Sequence, residues 1–184
     1  MTKKRTRAKQ ALVDAAMVLL ANNPGASFIE VAENAGVGRA TLYRHFPTRE
    51  ALLKELTLDA IHAMDQARAH IMEESSSATD ALRLTIEAII PLGDRFYFLT
   101  RFPELEDEEI AEHTQRQNAE LETIIRSAQE EGDIDDKLPA VWVASVFNSL
   151  VYAAWKQIEE EAIPESDASA LVLRTLLHGL SPLK

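Results

Sequence analysis

Wherever apolar residues cluster in this chain they recur at helical spacing, and no segment alternates as a half-buried strand does. From Lys9 to Ala21 they fall at Ala11, Leu12, Ala15, Ala16, Leu19 and Leu20, one face of a helix. Asn22-Asn23-Pro24-Gly25 ends that helix, because proline cannot continue it and glycine and asparagine tolerate the left-handed cap. Ser27 and Glu30 form a capping box that opens a second, short helix reaching about Ala35. Gly36-Val37-Gly38 turns the chain, and a third short helix covers Arg39 to Phe46. Thr48 caps a fourth from Arg49 to about Glu73. Five more are expected over 78–90, 92–101, 107–131, 139–161 and 166–179, punctuated by Pro91, Pro103, Gly132, Pro139 and Pro164. The expectation is an all-α fold of about nine helices, without internal repeats or low-complexity linkers.

Composition narrows the function. The 184 residues include no cysteine, which excludes disulfide frameworks, thiolate metal sites and cysteine nucleophiles. The apolar runs are far shorter than the roughly 20 residues that span a bilayer, and no signal-peptide core follows the basic N-terminus. No membrane partner and a cytoplasmic location are therefore expected. The net charge of −11 is unevenly placed. Residues 1–50 carry eight lysines and arginines against four acidic residues, whereas 51–184 carry eleven against twenty-six. A basic head on an acidic body suits a chain that meets phosphate at one end, and a short solvated basic tail gives the same asymmetry.

Two short helices joined by a glycine-containing turn are the sequence form of a helix-turn-helix. Ala32, Ala35 and Val37 stand where such helices cross, and Gly36 where a positive φ is needed. The stretch from Ser27 to Leu52, with its Ala35-Gly36-Val37 turn, Thr41-Leu42-Tyr43-Arg44-His45-Phe46 helix and Arg49-Glu50-Ala51-Leu52 start, resembles the N-terminal signature of the TetR family. Gly38 departs from it, since the family usually has a serine or threonine cap there, and Ile29 is more apolar than usual. The resemblance implies a three-helix DNA-binding domain over 1–50 and a helical ligand-sensing and dimerisation domain over 51–184.

The residues of the third helix suit that role chemically. Arg39 and Arg44 can pair bidentately with guanine and the Thr41 methyl can touch thymine, with Ala40 beside them. Tyr43 and His45 suit phosphate oxygens, and Ser27 and Thr48 are further candidates for DNA contact. Arg49 would sit in the first turn of a helix, where the macrodipole disfavours a cation and a phosphate would reverse the penalty. By resemblance Lys4 and Arg5 reach the DNA beside this helix, although a solvated arm is an alternative. Phe46, Leu42 and Leu52 are expected in the core.

The resemblance further implies a homodimer on a near-palindromic double-stranded operator. Its seam would be formed by the last two helices, at Trp142, Val146, Leu150, Ala154, Leu171, Val172, Thr175 and Leu176; one long buried helix in a monomeric core is the alternative. A small-molecule effector would bind among the middle helices. Phe96, Phe98, Phe102, His113, Asn148 and Tyr152 are the candidate contacts, and core packing explains the aromatic ones as well. The acidic run Glu104, Glu106, Asp107, Glu108, Glu109 and Glu112 reads as a solvated helix start that keeps the body away from DNA, and attraction of a cationic ligand to a pocket mouth is the alternative. No nucleophile with its base, phosphate loop or metal triad is legible, so an enzyme is not expected, and neither a metal nor a cofactor. The remaining alternative is a DNA-binding regulator governed by a partner protein, or an activator, that senses no small molecule.

Overall fold

A computed structural model describes residues 2–102 and 107–180, with side chains from residue 8 onward. The Lys4 and Arg5 side chains, Pro103, Glu104 and Glu106 fall outside it. Among the described residues the fold is all-α, with ten α-helices and one 3-10 turn. They are α1 (Thr2–Asn22), α2 (Phe28–Asn34), α3 (Arg39–His45), α4 (Arg49–Arg68), α5 (Ile71–Glu74), α6 (Ala78–Ile89), the 3-10 turn Ile90–Leu92, α7 (Gly93–Arg101), α8 (Glu108–Glu130), α9 (Ala140–Glu159) and α10 (Glu165–His178).

One helix end differs from expectation. α4 stops at Arg68, and Ile71–Glu74 forms a separate turn of helix instead of its continuation. His70, at φ −117° and ψ 3°, is where the backbone leaves the helical region. No proline or glycine marks the break.

The chain divides into two compact units, Met1–Ala63 with Asp94–Ala111, and Met64–Gly93 with Glu112–Lys184. In the first, α1, α2 and α3 pack on one another. Leu12, Leu20, Val31, Leu42, Leu52 and Leu56 are fully buried there, with Phe46 nearly so, as expected for Leu42, Phe46 and Leu52. Each fully buried leucine contributes roughly 1.5–3 kcal/mol relative to exposure. Ion pairs fasten α4 within this unit: Lys9 to Glu55 at 2.5 Å, Arg95 to Asp59 at 3.3 Å, and Lys54 to Asp107 at 2.7 Å. In the second unit α10 packs against α9 and α6. Ser77 caps α6 by accepting from the Asp80 N–H, and the Glu131 carboxylate accepts from the Ala78 N–H. The Trp155 indole lies directly against Gly93, in space that any Cβ there would occupy.

Candidate nucleic-acid interface

The helix-turn-helix is assembled by its caps. The Glu30 N–H donates to Ser27 Oγ at 3.2 Å, while Glu30 Oε2 accepts from the Ser27 N–H at 2.7 Å. Ser27, through its hydroxyl and then its backbone N–H, holds the Glu30 carboxyl below its usual value. The turn closes when the Val37 N–H donates to the Ala32 carbonyl at 3.0 Å. Gly36 takes φ +64°, the left-handed conformation that glycine adopts without steric cost. Gly38 begins α3 without any side-chain cap; its carbonyl accepts from the N–H groups of Thr41 and Leu42.

Leu42 is fully buried and anchors the inner side of α3. Arg39, Ala40, Tyr43 and Arg44 are all exposed, while Thr41 and His45 are half-buried. Tyr43 is held as well as exposed. Its ring meets Phe28 edge-on at 5.1 Å between centroids, and half of its surface is open to solvent. Arg39 stands 3.8 Å from Glu33, both largely exposed, a pairing too weak to keep the guanidinium from another partner. The outer face of α3 therefore presents two guanidiniums, a phenol and a small alanine that allows close approach.

Thr48 and Arg49 are engaged inside the protein. The Thr48 hydroxyl accepts from the Ala51 N–H at 3.1 Å and so caps α4. Arg49 donates from Nη1 to the Ala26 carbonyl at 2.6 Å and from Nη2 to the Pro24 carbonyl at 2.8 Å. The negative partner that the sequence position demanded is thus supplied by two backbone carbonyls of the turn between α1 and α2.

The other candidate residues are dispersed. Phe98 is fully buried and stacks on Phe102 at 4.7 Å, within the first unit. Phe96 is half-buried on α7, and Asn148 and Tyr152 are half-buried on α9. The second unit contains a cavity of about 450 Å³, and none of these residues lines it. His113 stands beside it, with Nδ1 2.8 Å from Nη2 of Arg116, a lining residue. Asp65, Arg68, Thr85 and Arg116 in that wall are not singled out by the sequence, because three helices, α4, α6 and α8, bring them together. On α9 and α10, Trp142 and Leu171 are exposed, joined by Val141 and by Leu138 just before α9. Val146, Leu150, Thr175 and Leu176 are half-buried, whereas Ala154 and Val172 are buried within the chain itself. No group of three or more His, Asp or Glu among the described residues is arranged to hold a metal ion. No helix among them is long and apolar enough to cross a membrane.

Residues 12–56, which contain this helix-turn-helix, match the model of the bacterial regulatory proteins of the tetR family. The chain carries the helix-turn-helix domain of the TetR family. It is accordingly a DNA-binding regulator of transcription. The HTH-type transcriptional repressor LfrR of Mycolicibacterium smegmatis is 29% identical over 181 residues, 97% of this chain and 93% of that protein. The structure of LfrR in complex with proflavine, from the organism named there as Mycobacterium smegmatis, superposes with a TM-score of 0.79 at 28% identity, covering 100% of both chains. The nucleoid occlusion factor SlmA of Marinobacter nauticus is 28% identical over 141 residues, 73% of this chain and 72% of that protein.

Proposed function

We propose that this chain is a repressor that binds a near-palindromic operator as a homodimer and leaves it when a small molecule binds. The observation that carries the DNA-binding half of this reading is the exposed face of α3 on a capped, tightly turned scaffold. With α3 in the major groove, Arg39 and Arg44 read guanine edges, the Thr41 methyl meets thymine, and Tyr43 and His45 engage phosphate. Residues 1–50 are the DNA-binding part and 51–184 the sensing and dimerising part. Half-sites one helical turn apart, about 34–36 Å, require two copies related by a two-fold axis. The exposed Trp142 and Leu171 favour a seam made by α9 and α10.

The repressor sense draws support from LfrR, which is named a transcriptional repressor, and small-molecule binding from its complex with proflavine. The cavity in the second unit is of ligand size. Ligand binding biases α4, which begins beside the helix-turn-helix and whose last residues line that cavity. Moving an operator from nearly full to nearly empty requires a preference for the released state of about 5.5 kcal/mol. A second reading is a DNA-binding regulator that answers to a partner protein and senses no small molecule. The cavity weighs for the first.

Selection from random duplexes at two salt concentrations tests the DNA-binding core of the proposal. The native chain should enrich a palindrome, with affinity falling steeply in salt, and a Tyr43→Ala/Arg44→Ala variant should lose it. A chain that enriches no sequence even at low salt refutes it.

A further inference from the structure

The cavity in the second unit is built from the end of α4, α5, α6 and α8. Ile71 and Ile124 form its apolar floor, both largely buried. The Thr85 hydroxyl donates to the Ala81 carbonyl at 2.7 Å and the Thr123 hydroxyl to the Ala119 carbonyl at 2.8 Å, so neither has a proton to offer a ligand. Charge enters the wall through Asp65, Arg68, Arg116 and Glu120.

These four are unequally available. Asp65 Oδ1 accepts from Gln117 Nε2 at 2.6 Å and from Arg68 Nη2 at 3.3 Å, and Oδ2 accepts from Arg116 Nη2 at 2.6 Å. Burial raises the Asp65 carboxyl, and Gln117, Arg116 and Arg68 together outweigh that and hold it below its usual value. Both of its oxygens already accept from protein donors. Glu120 is more than half exposed, 3.7 Å from Arg116 Nε. Arg68 is the opposite case. Its side chain is only 18% exposed, and its Nε donates to the Met64 carbonyl at 3.2 Å. Nη1 has no acceptor among the described residues. A guanidinium has five N–H groups, and most of those on Arg68 have no protein acceptor. Arg116, half exposed, stands across Asp65 from it.

We propose that this cavity binds a small organic anion, an apolar body bearing one carboxylate that is received by Arg68 and Arg116. The inference rests on reading this unit as the ligand sensor and deepens that reading by naming the ligand class. A carboxylate fits the planar fork of a guanidinium, and the isoleucine floor receives an aromatic or branched body. A cation meeting Asp65 would have to take it away from two arginines and a glutamine, and Glu120, the other carboxylate of the wall, is more than half exposed and screened by solvent. Arg68 is also the least exposed of the four charged groups, and it keeps N–H groups without a protein acceptor.

Titration calorimetry on the full chain with 2-naphthoate and with 2-naphthylmethylammonium compares the two charges on one apolar body. The expected result is that the carboxylate binds more tightly by about tenfold or more. Arg68→Met should weaken carboxylate binding by a similar factor and Arg68→Lys should retain part of it, with thermal melts confirming folded protein. Arg116→Met, at a more exposed position, should also weaken it. Thr123→Trp, which fills the cavity from an exposed site, should abolish it. Tighter binding of the ammonium probe, lost in Thr123→Trp, overturns the ligand class and leaves the sensor intact. Carboxylate binding indifferent to Arg68, Arg116 and Thr123 overturns the site. Failure of the sensor reading looks different: no probe of either charge binds, and neither releases operator DNA.

Discussion

Arg49 occupies a position that its own helix disfavours, in the first turn of α4, where the positive end of the dipole repels a cation. Two carbonyls from the turn after α1 offset that cost at 2.6 and 2.8 Å. The guanidinium therefore acts as a clamp between the start of α4 and the turn that leads into α2. Hydrogen bonds from a charged donor contribute about 1.5–3 kcal/mol each, so Arg49→Ala should lower stability by about 2 kcal/mol or more. A clamp and a phosphate contact differ in their salt signatures. A lost phosphate contact lowers the slope of log affinity against log salt by about one, whereas a lost clamp weakens binding without changing the slope. We expect the unchanged slope for Arg49→Ala together with a lower melting temperature. Arg49→Lys should be destabilised too, since an ammonium cannot serve two diverging carbonyls as the fork does. A reduced slope at unaltered stability would return Arg49 to the phosphates.

At the scale of elements, helix starts were legible and one helix end was not. Ser27, Thr48 and Ser77 each open a helix through a side-chain oxygen, as expected for Ser27 and Thr48. These signals are local, a polar side chain and the N–H three residues on. The end of α4 is unmarked in the sequence, where Ala69, His70 and Ile71 continue a plausible helix, and beyond the break α5 packs on α6 with Ile71 buried. The candidate sites divide the same way. The outer face of α3 follows from seven consecutive residues, but the cavity wall draws on four helices whose meeting no local pattern encodes. The capping box also carries a pH dependence. Glu30 is depressed by its bonds to Ser27, so its contribution is present above the unfolded carboxylate value and is lost as pH falls through the folded one. Hydrogen exchange of α2 should accelerate across that acidic window in the native chain. In Glu30→Gln, which keeps an acceptor without a titrating proton, the difference should vanish. Ser27→Ala should cost about 1 kcal/mol at neutral pH. Equal pH profiles for the native chain and Glu30→Gln would remove the carboxylate from the account.

For the whole molecule, dimerisation and operator binding make a single thermodynamic problem. A recognition helix of seven residues offers few base contacts, and affinity for a palindrome comes from engaging both half-sites at once. Trp142 at 60% exposure and Leu171 at 43% are large apolar groups whose exposure favours a partner surface on α9 and α10. Val172 and Ala154, on the same two helices, are already buried within the chain, so they bear on protomer stability instead. The two pairs should therefore respond differently to substitution. Trp142→Glu with Leu171→Glu should leave the melting transition of the protomer nearly unchanged, because exposed positions contribute little to its core. In the dimer each would place a carboxylate in an apolar seam, weakening association by several kcal/mol. Sedimentation should then show the monomer at concentrations where the native chain is a dimer, and the palindrome should bind no better than a single half-site. Val172→Ala, in contrast, should lower the melting temperature of the chain through its own core. A double variant that sediments and binds its operator as the native chain does would place the seam elsewhere. It would leave the exposed tryptophan of α9 as the surface still requiring a partner.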